Sequence, residues 1–127
     1  MQVDVEEQVD VEAQVEAQVD VEEVDHVLVV TPLFCSLDAT VAQAFRDHVA
    51  PKLRGRRLVV FALGNIEFMD SSGLGSLVAL YKQLPAGGVV RLAQVSIALQ
   101  TVLRLTRLDT MLQPFPTVAL AVAVAMD

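Results

Sequence analysis

Arg57-Leu-Val-Val-Phe-Ala-Leu63 is a nearly continuous apolar run, and it constrains this chain more than any other stretch. A strand that shows no polar face must be covered on both sides. The rest of the chain therefore has to supply neighbouring strands and the helices that pack over them.

The flanking segments do so in alternation. His26 to Thr31 is a β-branched run, and Pro32 ends it or places it near an edge. Asp25-His26 separates it from Val19 to Val24, which reads as an edge strand, so the two strands form a hairpin. Asp38 or Thr40 caps a helix whose apolar face is Val41, Phe45 and Val49, and Pro51 and Gly55 close that unit. Gly64-Asn65 breaks the central strand, and Glu67 to Asp70 is a short extended piece. Gly73 to Leu84 carries Leu74, Leu77, Val78, Tyr81 and Leu84 at helical spacing, and Pro85-Ala-Gly-Gly88 stops it. Val89 to Ala93 is another strand. Ile97 to Arg107 is a helix with Leu99, Val102, Leu103 and Thr106 turned inward. Val118 to Met126 alternates with alanines at strand period, yet alanine and an N-cap at Thr117 favour a helix, with Met111 to Pro114 as a short strand before it. The order is ββαβαβαβα, an α/β fold in which a mixed sheet carries helices.

Charge divides the chain unevenly. Residues 1–25 hold ten Asp or Glu and no Lys or Arg. The whole chain has sixteen acids and nine bases, so residues 26–127 have six acids, nine bases and a net charge of +3 rather than −7. The acidic segment repeats itself in near-copies of Val-Asp-Val-Glu, with Val3, Val5, Val9, Val11, Val15, Val19 and Val21 all at odd positions, the period of a one-faced strand. The fold needs one such strand. Residues 1–18 are therefore expected to be a disordered extension that adds strand pairs only opportunistically, and residues 19–127 the folded domain. An acidic extension repels phosphate, and Arg54, Arg56 and Arg57 read as a solvated loop, so no direct contact with nucleic acid is expected.

Composition removes other classes. At 127 residues with 54% apolar side chains, the chain suits one domain. One cysteine excludes a disulfide framework, and Cys35 reads as a buried or half-buried small apolar residue. His26 and His48, a turn residue and a helix-surface residue, supply no multi-histidine metal site. No base–nucleophile pair assembles at reasonable spacing, so no catalytic residue, metal or cofactor is expected. The longest apolar stretch, Val118 to Met126, is too short to span a membrane, and the acidic start lacks a signal peptide's basic region. These features imply a soluble, cytoplasmic protein.

The informative motif is Phe68-Met-Asp-Ser-Ser-Gly-Leu-Gly75. It joins a strand end to the start of an amphipathic helix, and Asp70, Ser71 or Ser72 can cap the free N–H groups of the first turn. Gly73 and Gly75 keep the surface flat, so another protein's backbone can approach. An ordinary well-capped helix start accounts for the same residues. The pattern lacks the Gly-x-Ser-x-Gly elbow and the Lys-Ser/Thr ending of a P-loop.

Asn65 to Leu84 resembles the signature of the STAS domain, and in particular that of bacterial anti-sigma factor antagonists. The resemblance runs from about Val19 to the C-terminus, with Ser36-Leu37-Asp38 and Val95-Ser96-Ile97-Ala98 matching further family segments. It implies a mixed five-stranded sheet packed with about four helices. It also implies that Ser72 is phosphorylated by a partner that is both anti-sigma factor and serine protein kinase. The unphosphorylated form binds that partner and frees a sigma factor; a PP2C-type phosphatase resets the cycle. Asp38, Asp70, Ser71, Gly73, Leu74 and Gly75 are the implied partner-binding residues, and the chain is expected to be a monomer or weak dimer. Asp38 is equally readable as a simple helix cap. Three features depart from the family: Cys35 replaces a glycine, Thr106-Arg107 replaces a small Ser/Thr-Gly pair, and the acidic repeats are extra. The alternative reading is a non-switching STAS subunit of a transporter or other regulatory complex, in which the same surface is a constant contact. The phosphoacceptor serine favours the switch.

Overall fold

The computed structural model describes residues 11–126. A helix over residues 11–17 (α1) leads into β1 (Val19–Val24), β2 (Val27–Pro32) and the short β3 (Ser36–Leu37). Then come α2 (Ala42–Val49), a 3₁₀ turn (Ala50–Leu53), β4 (Leu58–Ala62), the short β5 (Phe68–Met69) and α3 (Ser71–Tyr81). The chain ends with β6 (Val89–Ala93), α4 (Ile97–Leu105), a 3₁₀ turn (Leu108–Thr110), β7 (Leu112–Phe115) and α5 (Val118–Ala123).

The main sheet has the order β1-β2-β4-β6-β7. β1 runs antiparallel to β2, and the other neighbours are parallel. The hairpin closes at Val24 opposite Val27, so Asp25 and His26 alone make the turn. Both are left-handed, with φ of 50° and 68°, the twist a two-residue hairpin requires.

β4 occupies the middle of the sheet and is buried along its whole length. Its alternation feeds two cores. Val59 and Phe61 join the larger core with Phe45, Leu77, Leu80 and Leu103. Leu58, Val60 and Ala62 join a smaller one that Ala121 of α5 covers, with Val118 and Val122 beside it. The apolar run thus does what its lack of a polar face requires.

One charged residue belongs to the interior. Arg91 of β6 is 3% exposed. It donates to the carbonyls of Ala121 (3.0 Å), Val124 (2.6 Å) and Ala125 (3.1 Å) at the C-terminal end of α5, and its guanidinium lies 4.8 Å from the Phe115 ring centroid. A helix leaves its last carbonyls without partners, and a cation there satisfies them.

The principal element order ββαβαβαβα is observed, and the C-terminal Val/Ala run is a helix. Two expectations need correction, and two details are added. Residues 11–17 are helical rather than disordered: Val15 is 1% exposed in the larger core and Val11 packs against it. Val11 and Val15 are four apart, so they share a helix face as readily as a strand face, and Glu-Ala-Gln between them favours helix. The expectation for residues 1–10 lies outside the described residues. With α1 there are five helices among the described residues, in keeping with the expected number of about four. β3 and β5 pair in parallel as a second, two-stranded sheet. In α4, Leu103 is fully buried and Leu99 partly so, but Val102 and Thr106 are exposed. They face a groove instead of the core.

Candidate functional site

The β3–β5 ladder brings two distant loops together. Ser36 pairs with Phe68 and Leu37 with Met69, which sets residues 38–40 beside the start of α3. Asp70 then locks the two segments. It is extended (φ −99°, ψ −174°) and is the N-cap of α3: its Oδ1 accepts from the Gly73 N–H at 2.9 Å. Its Oδ2 accepts from the Ala39 N–H at 3.0 Å. Of the three capping candidates, the structure selects Asp70, so the helix starts at Ser71 rather than Gly73.

Asp38 organises the facing loop. Its Oδ1 accepts from the Thr40 N–H (3.0 Å) and hydroxyl (2.5 Å), and its Oδ2 from the Ser36 hydroxyl (2.9 Å). The Thr40 hydroxyl foremost, then the Ser36 hydroxyl and the Thr40 N–H, hold its carboxyl below the usual carboxylate range. The N-cap position of α2 is Val41, with no side-chain cap bond. Asp38 therefore shapes the turn before the helix, next to the α3 start.

The two glycines of the motif have different roles. Gly73 is buried, and a Cβ there would lie 2.0 Å from the Leu37 carbonyl oxygen. Its smallness serves an internal contact, which corrects the expectation that it flattens an outer surface. Gly75 is exposed with nothing within 4 Å of an added Cβ, so it does leave the surface low. Leu74 is half-buried against the core. Ser76 is buried and donates to the Gly73 carbonyl at 2.6 Å.

Ser71 and Ser72 are both exposed, yet they face different grooves. Ser71 lines an apolar groove of about 520 Å³ between α3 and α4, with Ile66, Phe68, Leu74, Leu99 and Val102 among its walls and the carboxylates of Glu67 and Asp70 at its edge. Ser72 lines a groove of about 380 Å³ between α2 and α3, with Ala39, Gln43, Arg46 and Gly75. The sequence reading overlooked Arg46. Its signal is its place on the flank of α2's buried face, three residues after Gln43.

Cys35 is exposed, against expectation, while its carbonyl accepts from Glu67 and Phe68 N–H groups. Arg107 adopts the left-handed conformation, φ 60°, where a glycine is more comfortable. His48 is held below its ordinary pKa by burial first and by Lys52, with Glu16 of α1 opposing. Among the described residues no group of His, Cys, Asp or Glu could hold a metal ion.

A family model of the STAS domain matches residues 18–121. The chain belongs to the STAS domain family. Its fold is that of solved anti-sigma factor antagonists. The antagonist from Mycobacterium paratuberculosis is 26% identical and superposes with a TM-score of 0.75, over 86% of this chain and 93% of that one. SpoIIAA of Bacillus, in its unphosphorylated form, is 21% identical with a TM-score of 0.63, over 80% of this STAS chain and 90% of its own. The murine anion transporter Slc26a9 is 20% identical with a TM-score of 0.63, over 80% of this chain and 18% of that one. The latter two likenesses concern the fold alone. No curated protein matches the chain in sequence. No helix among the described residues is long and apolar enough to cross a membrane.

Proposed function

We propose that this STAS domain is an anti-sigma factor antagonist of the bacterial cytoplasm, switched by phosphorylation of Ser72. The observation that carries the proposal is the pairing of an exposed acceptor with a rigid seat. Ser72 stands on the first turn of α3, and Asp70 ties that turn to the loop at Ala39. The unphosphorylated form binds an anti-sigma factor that is also a serine kinase, and a sigma factor is released. Asp38, Asp70, Ser71, Gly75 and Leu74 frame the docking surface, with Gly73 fitting the helix against Leu37 beneath it. A PP2C-type phosphatase removes the phosphate.

The contents of the two grooves support Ser72 over Ser71, while the helix start suits a phosphate at either. Phosphate adds about −1.5 to −2 charge. The Ser71 groove is apolar with Glu67 and Asp70 in its lining, whereas the Ser72 groove contains Arg46. A negative group on the first turn of a helix is also favourable by roughly 0.3–1 kcal/mol. The fold therefore tolerates the modification, and the switch acts at the interface through charge and bulk. SpoIIAA, of the same fold, has been solved in a phosphorylated form.

Incubation with an anti-sigma factor kinase and ATP, followed by peptide mapping, should place phosphate on Ser72. Labelling that persists in Ser72→Ala overturns the assignment. In calorimetric titration the Ser72→Ala chain should bind the anti-sigma factor like the unmodified protein. Ser72→Glu should bind about tenfold or more weakly, a loss of about 1.4 kcal/mol, with an unchanged circular dichroism spectrum. Equal affinity for both variants and for the phosphorylated protein would point to a non-switching subunit instead.

A further inference from the structure

We infer that Arg46 is the counter-charge built into this chain for a phosphate on Ser72, so that the phosphorylated form holds its own phosphoryl group in the groove between α2 and α3. The inference rests on Ser72 as the acceptor and adds how the modified state is kept.

Three observations carry it. First, Ser72 and Arg46 line the same groove of about 380 Å³, and Arg46 is the charged residue among those lining it. Gly75 contributes no side chain there, which leaves room for a group larger than a hydroxyl.

Second, the guanidinium has no acidic partner among the described residues. The ion pair among the described residues joins Arg56 to Glu23; Arg46 instead donates from Nη2 to the neutral amide oxygen of Gln43. An arginine presents five N–H donors in a fork that fits phosphate oxygens in pairs, and one bond to an amide leaves most of that capacity unused.

Third, the nearby carboxylates have other partners. Asp47 accepts both of its contacts, at 3.0 and 3.1 Å, from the Gln43 amide nitrogen. Asp70 is taken by the Gly73 and Ala39 N–H groups, and Asp38 by Ser36 and Thr40. Gln43 bridges Arg46 and Asp47, so it fixes the arginine without neutralising it.

The arrangement has a consequence for the switch. In the unmodified chain Arg46 is half-buried in the groove wall, and its charge is available to an acidic group on a partner. A phosphate on Ser72 occupies it instead. Phosphorylation then removes a cation from the docking surface as well as adding an anion to it.

The test installs phosphoserine at position 72 during synthesis with an expanded genetic code, so it needs no kinase. The phosphate's second ionisation, ordinarily near pH 6, is followed by phosphorus NMR in wild type, Arg46→Gln and Arg46→Lys, with Arg104→Gln on α4 as control. A cation beside the phosphate favours the dianion. The wild-type value should lie about half a unit or more below that of Arg46→Gln. Arg46→Lys should fall between them, and Arg104→Gln should match wild type. Identical titration of wild type and Arg46→Gln, with both folded by circular dichroism, overturns the inference. Failure of a kinase to label Ser72 would overturn the acceptor assignment and leave this result standing.

Discussion

The start of α3 and the end of α5 are both helix termini held by one ionic side chain, and they are held in opposite surroundings. At α3 the carboxylate of Asp70 takes two backbone N–H groups near the surface, one from its own helix and one from the Ala39 loop. At α5 the buried guanidinium of Arg91 takes the carbonyls of buried Ala121 and of exposed Val124 and Ala125, and lies near Phe115. Each sign matches the partial charge of the terminus it faces. The difference lies in what replaces the bond when it is lost. Water can reach the α3 start, whereas Arg91 and Ala121 are buried.

The largest effect should come from packing beneath the α3 start. Gly73→Ala places a methyl 2.0 Å from the Leu37 carbonyl, and the helix or β3 must move. A loss of about 3 kcal/mol or more is expected in urea unfolding. Gly75→Ala, two residues on with open space around it, should gain about 1 kcal/mol from helix propensity. If both variants cost the same, the close contact at Gly73 is not what fixes α3.

Arg91→Met comes next, with a loss of about 3 kcal/mol, because the buried Ala121 carbonyl and two part-buried ones lose their donor. A loss below about 1 kcal/mol would mean that the apolar contacts of α5 hold it without the arginine.

Asp70→Ala should cost about 2 kcal/mol, at the top of the N-cap range, because one carboxylate serves two segments. Thr117→Ala makes the simpler comparison. Among the described residues its hydroxyl accepts only from the Leu120 N–H of its own helix, at 3.1 Å, so about 1 kcal/mol is expected. Equal losses would show that the Ala39 contact contributes nothing.

The smallest effect concerns pH. Asp38 has its folded pKa depressed by the Thr40 and Ser36 hydroxyls, so its contribution to stability is present above the ordinary carboxylate range. That contribution is lost as the pH falls through the depressed value. The melting temperatures of wild type and Asp38→Asn should therefore differ at neutral pH and converge in acid. A constant difference down to pH 2 would show that Asp38 stays paired by geometry alone.

The sheet was legible in the sequence because its strands carry their burial in their composition. β4 has no polar face, and the hairpin turn sits where Asp25-His26 interrupts two valine-rich runs. The motif was legible for a similar reason: Asp, Ser and Gly at a strand end have few other uses. Residues 11–17 were misjudged because valines at 11 and 15 satisfy strand and helix periods together, and only the core around Val15 decides between them. Gly73 was misassigned because sequence does not say which side of a glycine is approached. Arg91 escapes the sequence because its carbonyl partners lie 30 to 34 positions away at the C-terminal end of α5, and Arg46 because periodicity does not say which groove a helix flank borders. Val102 and Thr106 were read as core because helical periodicity finds an apolar stripe without saying whether the core reaches its edge.

The pair of hydrogen bonds accepted by Asp70 also bears on the speed and entropy of recognition. Because Ala39 and Gly73 are tied through one carboxylate, the loop and the helix start are already ordered relative to each other in the free protein. A partner that touches both meets a preorganised surface, and immobilising a mobile side chain at an interface otherwise costs about 0.5–1.5 kcal/mol. If that tie is loosened by Asp70→Asn, calorimetry should register a less favourable binding entropy while the enthalpy of the remaining contacts stays close to that of the wild type.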